Sequence, residues 1–235
     1  MILSIENLHV GIGNLKIIQG VTIEVGEEET VSLMGGNGAG KTTLMRAVSG
    51  LGSITGGHIT FLGEDITHAS SERIVEMGLI QIPEGRQLFS LMTVRENLEM
   101  GAVSKRAGKK MKDNLEYVYT LFPELKEMES KAAGNLSGGQ QQMVAIGRGL
   151  MADPKLLMLD EPSIGLSPIM TQKVLEAVIR IRKKGVAVLI AEQNIFDVLK
   201  IAERAYVLEQ GVIRAGGNAG EILANPKIRE MYLGM

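Results

Sequence analysis

The chain has 235 residues, 45% of them hydrophobic, with 25 Lys and Arg against 27 Asp and Glu and no cysteine. A formal net charge of -2 gives no electrostatic reason to expect nucleic acid, and the lack of cysteine excludes disulfides and thiolate metal sites. No stretch approaches the roughly 18–20 apolar residues of a membrane span, and the first residues lack the basic start and apolar run of a signal peptide. The expectation is a cytosolic protein that serves a membrane, if at all, by docking to another chain.

Residues 2–10 and 16–25 read as strands around the turn Gly11-Ile12-Gly13-Asn14. The apolar run Thr30-Val31-Ser32-Leu33-Met34 reads as a buried strand. It leads into Gly35-Gly36-Asn37-Gly38-Ala39-Gly40-Lys41-Thr42, which spells G-x-x-x-x-G-K-[ST] in the strand, loop and helix order of a phosphate cradle. The glycines let consecutive backbone N–H groups turn inward on an anion and Lys41 reaches the β- and γ-phosphates. The Thr42 hydroxyl can ligate Mg²⁺ at a helix N-terminus whose dipole favours negative charge. The chain is therefore expected to bind ATP or GTP. His58–Leu62 reads as a further strand after Thr55-Gly56-Gly57, completing an antiparallel flank, and Gly78–Ile82 as a core strand.

From Gly85 to Leu150 the pattern is helical. Thr93-Val94-Arg95-Glu96 is a capping box that starts a helix to about Met100. Another helix covers Lys109 to Leu121 and stops before Pro123, with Met111, Leu115, Val118 and Leu121 or Phe122 as its apolar stripe. The basic run Lys105-Arg106 and Lys109-Lys110 reads as a solvated loop and helix face. Leu136-Ser137-Gly138-Gly139-Gln140 opens an apolar-periodic helix to about Met151. Taken alone, Ser-Gly-Gly is either an ordinary linker or a helix start that forms a second anion site.

Lys155-Leu156-Leu157-Met158-Leu159-Asp160-Glu161 is a short buried-strand pattern ending in two carboxylates, one able to hold a Mg²⁺ shell and the next to polarise water. Pro168–Lys184 reads as a helix ended by Gly185, and Asn194–Arg204 as another, between the strands Ala187–Ala191 and Ala205–Glu209. Strands alternating with helices imply a largely parallel α/β sheet with its ligand at the C-terminal edge. His9, His58 and His68 lack ligand spacing. Met92, Met100, Met111 and Met128 read as core or groove filler, and the sequon Asn135-Leu136-Ser137 has no glycosylation machinery to meet in the cytosol.

A phosphate loop, an L-S-G-G-Q signature and a D-E strand in this order resemble the ATP-binding cassette family, from about Ile2 to the C-terminus. Within the family the chain is most similar to the ATPase subunits of branched-chain amino-acid importers. The similarity lies in Ile82-Pro83-Glu84-Gly85-Arg86, Glu161-Pro162-Ser163-Ile164-Gly165-Leu166-Ser167-Pro168, Ala191-Glu192-Gln193-Asn194 and Tyr232-Leu233-Gly234. The resemblance implies an α/β, P-loop NTPase (RecA-like) core with an antiparallel β flank and an inserted helical subdomain carrying the signature. Residues 1–235 would form one ATPase domain, with its core from 1–84 and 151–235 and the subdomain from 85–150.

The resemblance also implies ATP and Mg²⁺ as cofactors. Nucleotide would be held by Ile12 and by Gly35, Gly36, Asn37, Gly38, Ala39, Gly40, Lys41, Thr42 and Thr43, and metal by Thr42, Asp160 and Glu84. Glu161, with Gln193 and Glu84, would form the catalytic set, Glu161 orienting or deprotonating the attacking water. Leu136, Ser137, Gly138, Gly139 and Gln140 would close on the γ-phosphate held by the other subunit of a head-to-tail dimer, formed with a second copy or a close paralogue.

The implied partners are integral membrane permease subunits and, indirectly, a periplasmic or extracellular substrate-binding protein, with no nucleic acid. The implied place is cytoplasmic, peripheral on the inner face of the cell membrane. The implied function is ATP hydrolysis that powers import of branched-chain or other hydrophobic amino acids. The rival readings are an ATP-gated module on a ribosome, DNA or a regulator, against which the single cassette without extended heptads weighs, and the ATPase of a different transporter.

Four positions depart from the commonest cassette pattern. Ile12 stands where an aromatic usually stacks on adenine, and is either an apolar base contact or a turn-flanking strand residue. Glu84 replaces the common glutamine, with Gln81 as a mid-strand decoy. Gln193 replaces the switch histidine, so it can hydrogen-bond a phosphate oxygen but cannot carry a proton near neutral pH. Ser167 stands where many cassettes have aspartate.

Overall fold

The structure, a computed structural model, describes residues 1–13 and 15–225, with residue 195 described by its backbone alone. The first part runs β1 (Leu3–Ile12), β2 (Leu15–Val25), β3 (Thr30–Met34), α1 (Lys41–Val48), β4 (Ser53–Phe61), β5 (Glu64–Asp65), α2 (Ser71–Met77) and β6 (Leu79–Ile82). Helices follow: α3 (Val94–Glu99), α4 (Lys105–Lys109), α5 (Met111–Leu121), α6 (Pro123–Glu127) and α7 (Gly138–Met151). The chain then alternates β7 (Leu156–Asp160), α8 (Pro168–Arg182), β8 (Ala187–Glu192), α9 (Ile195–Leu199) and β9 (Arg204–Glu209), and ends the described part with β10 (Val212–Asn218) and α10 (Ala219–Ala224).

A six-stranded sheet has the order β10-β9-β3-β8-β7-β6, parallel from β9 to β6 with β10 antiparallel at its edge. The antiparallel sheet β2-β1-β4-β5 lies beside it. Every residue of β3, β7 and β8 is buried, which is why β7 and β8 read as apolar runs up to their closing carboxylates, while β3 also buries Thr30 and Ser32. Side-chain alternation divides these strands between two cores. Leu156, Met158, Ala187, Leu189 and Ala191 pack with the antiparallel sheet and α1, whereas Leu157, Leu159, Val188 and Ile190 pack with Val94, Leu98, Val118 and Ile146 of the helical run.

Several expected elements are differently placed. The strand expected at His58–Leu62 is β4, which begins at Ser53, because pairing of Gly56 with His9 and Ile54 with Val10 carries the ladder through the glycines. Leu62 lies beyond it, with φ +53. The helix expected over Lys109–Leu121 is broken at Lys110, whose φ is -108, and Met111 of its expected stripe is exposed while Val118, Leu121 and Phe122 are buried.

The basic run is not simply solvated. Arg106 donates to the carbonyl and carboxylate of Asp153, and Lys110 lies 3.1 Å from the same carboxylate, tying α4 to the loop before β7. The helix expected over Asn194–Arg204 is only α9, since Arg204 is drawn into the ladder opposite Val31. Neither β10 nor α10 was legible, and Tyr232-Leu233-Gly234 lies outside the described residues.

Candidate nucleotide site

The strand order sets the site. Because β8 lies between β3 and β7, with β6 beyond, the C-terminal sheet edge presents in turn the loop after Met34, then Glu192 and Gln193, then Asp160 and Glu161, and finally Glu84. Residues far apart in sequence thus converge where a parallel sheet binds its ligand.

The loop Gly35–Gly40 joins β3 to α1. A side chain at Gly35 would bring Cβ to 2.5 Å from the Leu208 carbonyl oxygen, and Gly40 has φ +108, a region open to glycine and little else. Helix α1 has no side-chain cap and no acidic residue in its first turn, whereas α2, α3, α7, α8 and α10 are capped by Ser70, Thr93, Ser137, Ser167 and Asn218. Its first-turn amides therefore meet no side-chain cap of their own, the condition an incoming phosphate needs.

Lys41 is buried and its three ammonium protons are all engaged. Nζ donates to the carbonyls of Gly35 at 2.6 Å and Gly36 at 3.2 Å, and lies 2.9 Å from Glu161 Oε1. Asn37, Gly38, Ala39, Thr42, Thr43, Glu84 and Glu161 join Lys41 around a cavity of about 320 Å³. Thr42, Glu84 and Asp160 also face a neighbouring cavity of about 540 Å³.

Asp160 is 2% exposed, and neither carboxylate oxygen has a hydrogen-bond partner among the described residues. Burial pushes its carboxyl above the ordinary value, Glu161 and Glu84 adding to the rise while Thr42 and Lys41 oppose it. Two orphaned anionic oxygens beside an exposed hydroxyl are what a divalent cation satisfies. Glu161 holds a left-handed backbone, φ +49, and its N–H donates to the Ala191 carbonyl at 2.9 Å.

Glu161 also lines a third cavity, of about 520 Å³, together with Glu192, Gln193 and Asn194. Gln193 is exposed there, but Glu192 is 2% exposed and accepts the Ser163 N–H at 2.9 Å. Burial pushes the Glu192 carboxyl above its ordinary value, the Ser163 contacts pulling back and Glu161 adding to the rise.

The signature lies apart from this cradle. Ser137 caps α7 by accepting the Gln140 N–H at 3.4 Å, while Gln140 Oε1 accepts the Ser137 N–H at 2.9 Å. Leu136 and Gly139 are buried, and a Cβ at Gly139 would lie 2.6 Å from the Met170 methyl, so glycine sets the approach of α7 to α8. None of 136–140 lines the cavity around Lys41.

Ile12 is 63% exposed and does not line that cavity either; Ile17 of β2 does. Gln81 accepts the Ser49 hydroxyl on its side-chain oxygen at 2.7 Å and faces the same cavity as Thr42, Glu84 and Asp160. Ser167 caps α8 by accepting the Met170 N–H at 3.4 Å.

Three residues were given no site role by the sequence: Ile17, and Glu192 and Arg86, which stood there only as marks of resemblance. Arg86 has φ +64. It reaches the Gln141 side-chain oxygen on α7 and the Ile164 carbonyl after β7, each at 3.4 Å, while Arg148 donates to the Arg86 carbonyl at 3.1 Å. The sequence signals for Glu192 were its place in Ala191-Glu192-Gln193-Asn194 and a carboxylate directly after an apolar strand.

This fold and cradle define a P-loop nucleotide hydrolase. A family model described as ABC transporter matches residues 18–164, and the chain belongs to that family, as an ATP-binding and ATP-hydrolysing cassette. It is 43% identical to the high-affinity branched-chain amino acid transport ATP-binding protein BraG of Pseudomonas aeruginosa, over 99% of each chain. Against the lipopolysaccharide export system ATP-binding protein LptB of Haemophilus influenzae it is 33% identical, over 99% of this chain and 97% of LptB. The crystal structure of a nucleotide-free ATP-binding cassette from an ABC transporter superposes with a TM-score of 0.87 at 29% identity, covering 100% of this chain and 99% of that one.

Proposed function

We propose that this cassette powers a membrane permease that imports branched-chain or other hydrophobic amino acids. The observation that carries the reading is full-length similarity to BraG, supported by the subfamily marks at Glu84, Gln193 and Ser167. The similarity to LptB favours one second reading, the ATPase of a different transporter, because the cassette itself does not touch cargo. In cells where this chain is replaced by its Glu161→Gln variant, uptake of labelled leucine, isoleucine and valine should fall to background. Undiminished uptake of all three would assign the chain to another cargo.

In the proposed chemistry the amides of Gly36 to Thr43 hold the β- and γ-phosphates, Lys41 moves from Glu161 to the phosphate oxygens, and Glu161, so released, orients the attacking water. A Mg²⁺ ion would be held by Thr42, Asp160 and Glu84, and when bound would neutralise charge on the phosphates. Gln193 donates to a γ-phosphate oxygen, and Ile12 or Ile17 contacts the base.

Residues 1–84 and 151–235 act as the nucleotide-binding core and 85–150 as the signature subdomain, whose Leu136–Gln140 segment serves the nucleotide of a second subunit. The separation of that segment from Lys41 within one chain supports this arrangement. No helix among the described residues is long and apolar enough to cross a membrane, which fits a peripheral subunit on the inner face of the cell membrane, with a periplasmic or extracellular protein delivering the cargo.

A further inference from the structure

Glu161 has an unfavourable backbone. A non-glycine residue in the left-handed region costs roughly 1–2 kcal/mol and persists only where neighbours over-determine it. Two ties from the end of β8 hold the segment that follows β7: the Glu161 N–H on the Ala191 carbonyl, and the Ser163 N–H on Glu192 Oε1, each at 2.9 Å. The first is a backbone bond that any residue at 191 supplies. The second needs a side chain of the right reach at 192.

Between the two ties lie Glu161 and Pro162, and the turn closes with the Ile164 N–H on the Glu161 carbonyl at 3.2 Å. Glu192 also immediately precedes Gln193, and Glu161, Glu192 and Gln193 border one cavity. A carboxylate 2% exposed, held by the Ser163 amide and side chain and by the Gln193 amide, is an expensive anchor for one loop, unless the loop's course matters to the reaction.

We propose that Glu192 is a positioning residue for ATP hydrolysis: by holding the Ser163 amide it fixes the course of Glu161-Pro162-Ser163 and couples Glu161 to Gln193. It acts through Ser163 and touches neither nucleotide nor water. Lys41 meets the linkage at Glu161 alone, a contact that the phosphates replace, and its carbonyl partners Gly35 and Gly36 belong to the phosphate loop, so nucleotide binding by one chain should change little when the linkage is cut. The inference rests on the reading of Glu161 as the residue that orients water.

The test measures kcat and KM for ATP, ATP affinity of the isolated chain and melting temperature for the full-length parent, Glu192→Ala, Glu192→Gln, Glu192→Asp and Glu161→Gln. Glu192→Ala should lower kcat by roughly ten- to a hundredfold, the scale of a misplaced reacting group, with KM and single-chain affinity within about twofold of the parent. Glu192→Gln keeps an acceptor oxygen at the same reach and should recover most of the lost kcat. Glu192→Asp keeps the charge but withdraws the acceptor by one methylene, and should not.

Parental kcat in Glu192→Ala overturns the proposal. So does equal loss in the Ala and Gln variants at parental melting temperature, which would assign the effect to the charge. If Glu192→Ala does not fold, the order of Gln above Asp decides, and the reverse order overturns it. Normal turnover by Glu161→Gln would sink the underlying reading of Glu161 whatever the Glu192 variants do.

Discussion

Burial of the Asp160 carboxylate, whose oxygens have no hydrogen-bond partner among the described residues, costs stability that Thr42 and Lys41 offset in part and that a cation would offset further. Asp160→Asn keeps the shape and removes the charge. It should stabilise the nucleotide-free chain at neutral pH by roughly 1–2 kcal/mol, within the range of a buried unsatisfied polar group, while abolishing Mg²⁺-dependent turnover. Denaturant unfolding with and without Mg-ATP checks both halves, and a less stable Asn variant would mean that the Asp160 charge is compensated in the free chain.

Glu192 contributes to the pH dependence, in the same sense as Asp160, whose carboxyl is also raised by burial. Burial raises the folded pKa of Glu192 above the unfolded value, so the folded chain holds this proton more tightly. The stability it contributes is present below the ordinary carboxylate value and is lost as pH rises through the raised one. Glu192→Gln should flatten that fall in a melting-temperature profile taken from acid to neutral pH, and an unchanged profile would show that the titration belongs to another group.

Among the elements, the helix N-termini differ in their caps. Helix α1, at the phosphate loop, has no side-chain cap, as is also true of α5, α6 and α9, whereas α7 and α8 are capped by Ser137 and Ser167. Ser167 therefore has a local structural reason where other cassettes carry aspartate, since both residues cap well. Ser167→Asp should leave thermal stability unchanged, while Ser167→Ala should cost about 0.5–2 kcal/mol, the usual value of a lost cap. Equal stability of all three by calorimetry would mean that the 3.4 Å bond to Met170 contributes nothing.

At the scale of the molecule, one chain holds a phosphate cradle and, elsewhere, an exposed signature serine that no part of its own cradle uses. A second copy or a paralogue supplies the missing half in the proposed head-to-tail pair. Glu161→Gln, expected to bind ATP without turning it over, should dimerise on adding Mg-ATP in light scattering, and Glu161→Gln with Ser137→Arg should stay monomeric at the same ATP affinity. Ser137→Arg also removes the cap of α7, so a stability loss of about 1 kcal/mol should accompany it. A double variant that still dimerises would place the pairing surface elsewhere.

The sequence by itself determined whatever is made by contiguous backbone or by burial on both faces. The phosphate loop is legible because its glycines, Lys41 and Thr42 act in one short segment, the Thr93 capping box because its partners are three residues apart, and β7 because complete burial leaves an apolar run up to Asp160. Tertiary structure decided what depends on a partner strand or on a distant residue. Pairing carried β4 through Gly56 and Gly57, recruited Arg204 from an expected helix into β9, and built β10 from a glycine-containing edge. The order β3-β8-β7-β6 brought Lys41 against Glu161 and Glu192 against Ser163, and β2 of the antiparallel sheet carried Ile17 to the cradle. Such contacts leave no local trace, because a side chain's type records its own burial and charge but not which strand end the sheet will set beside it.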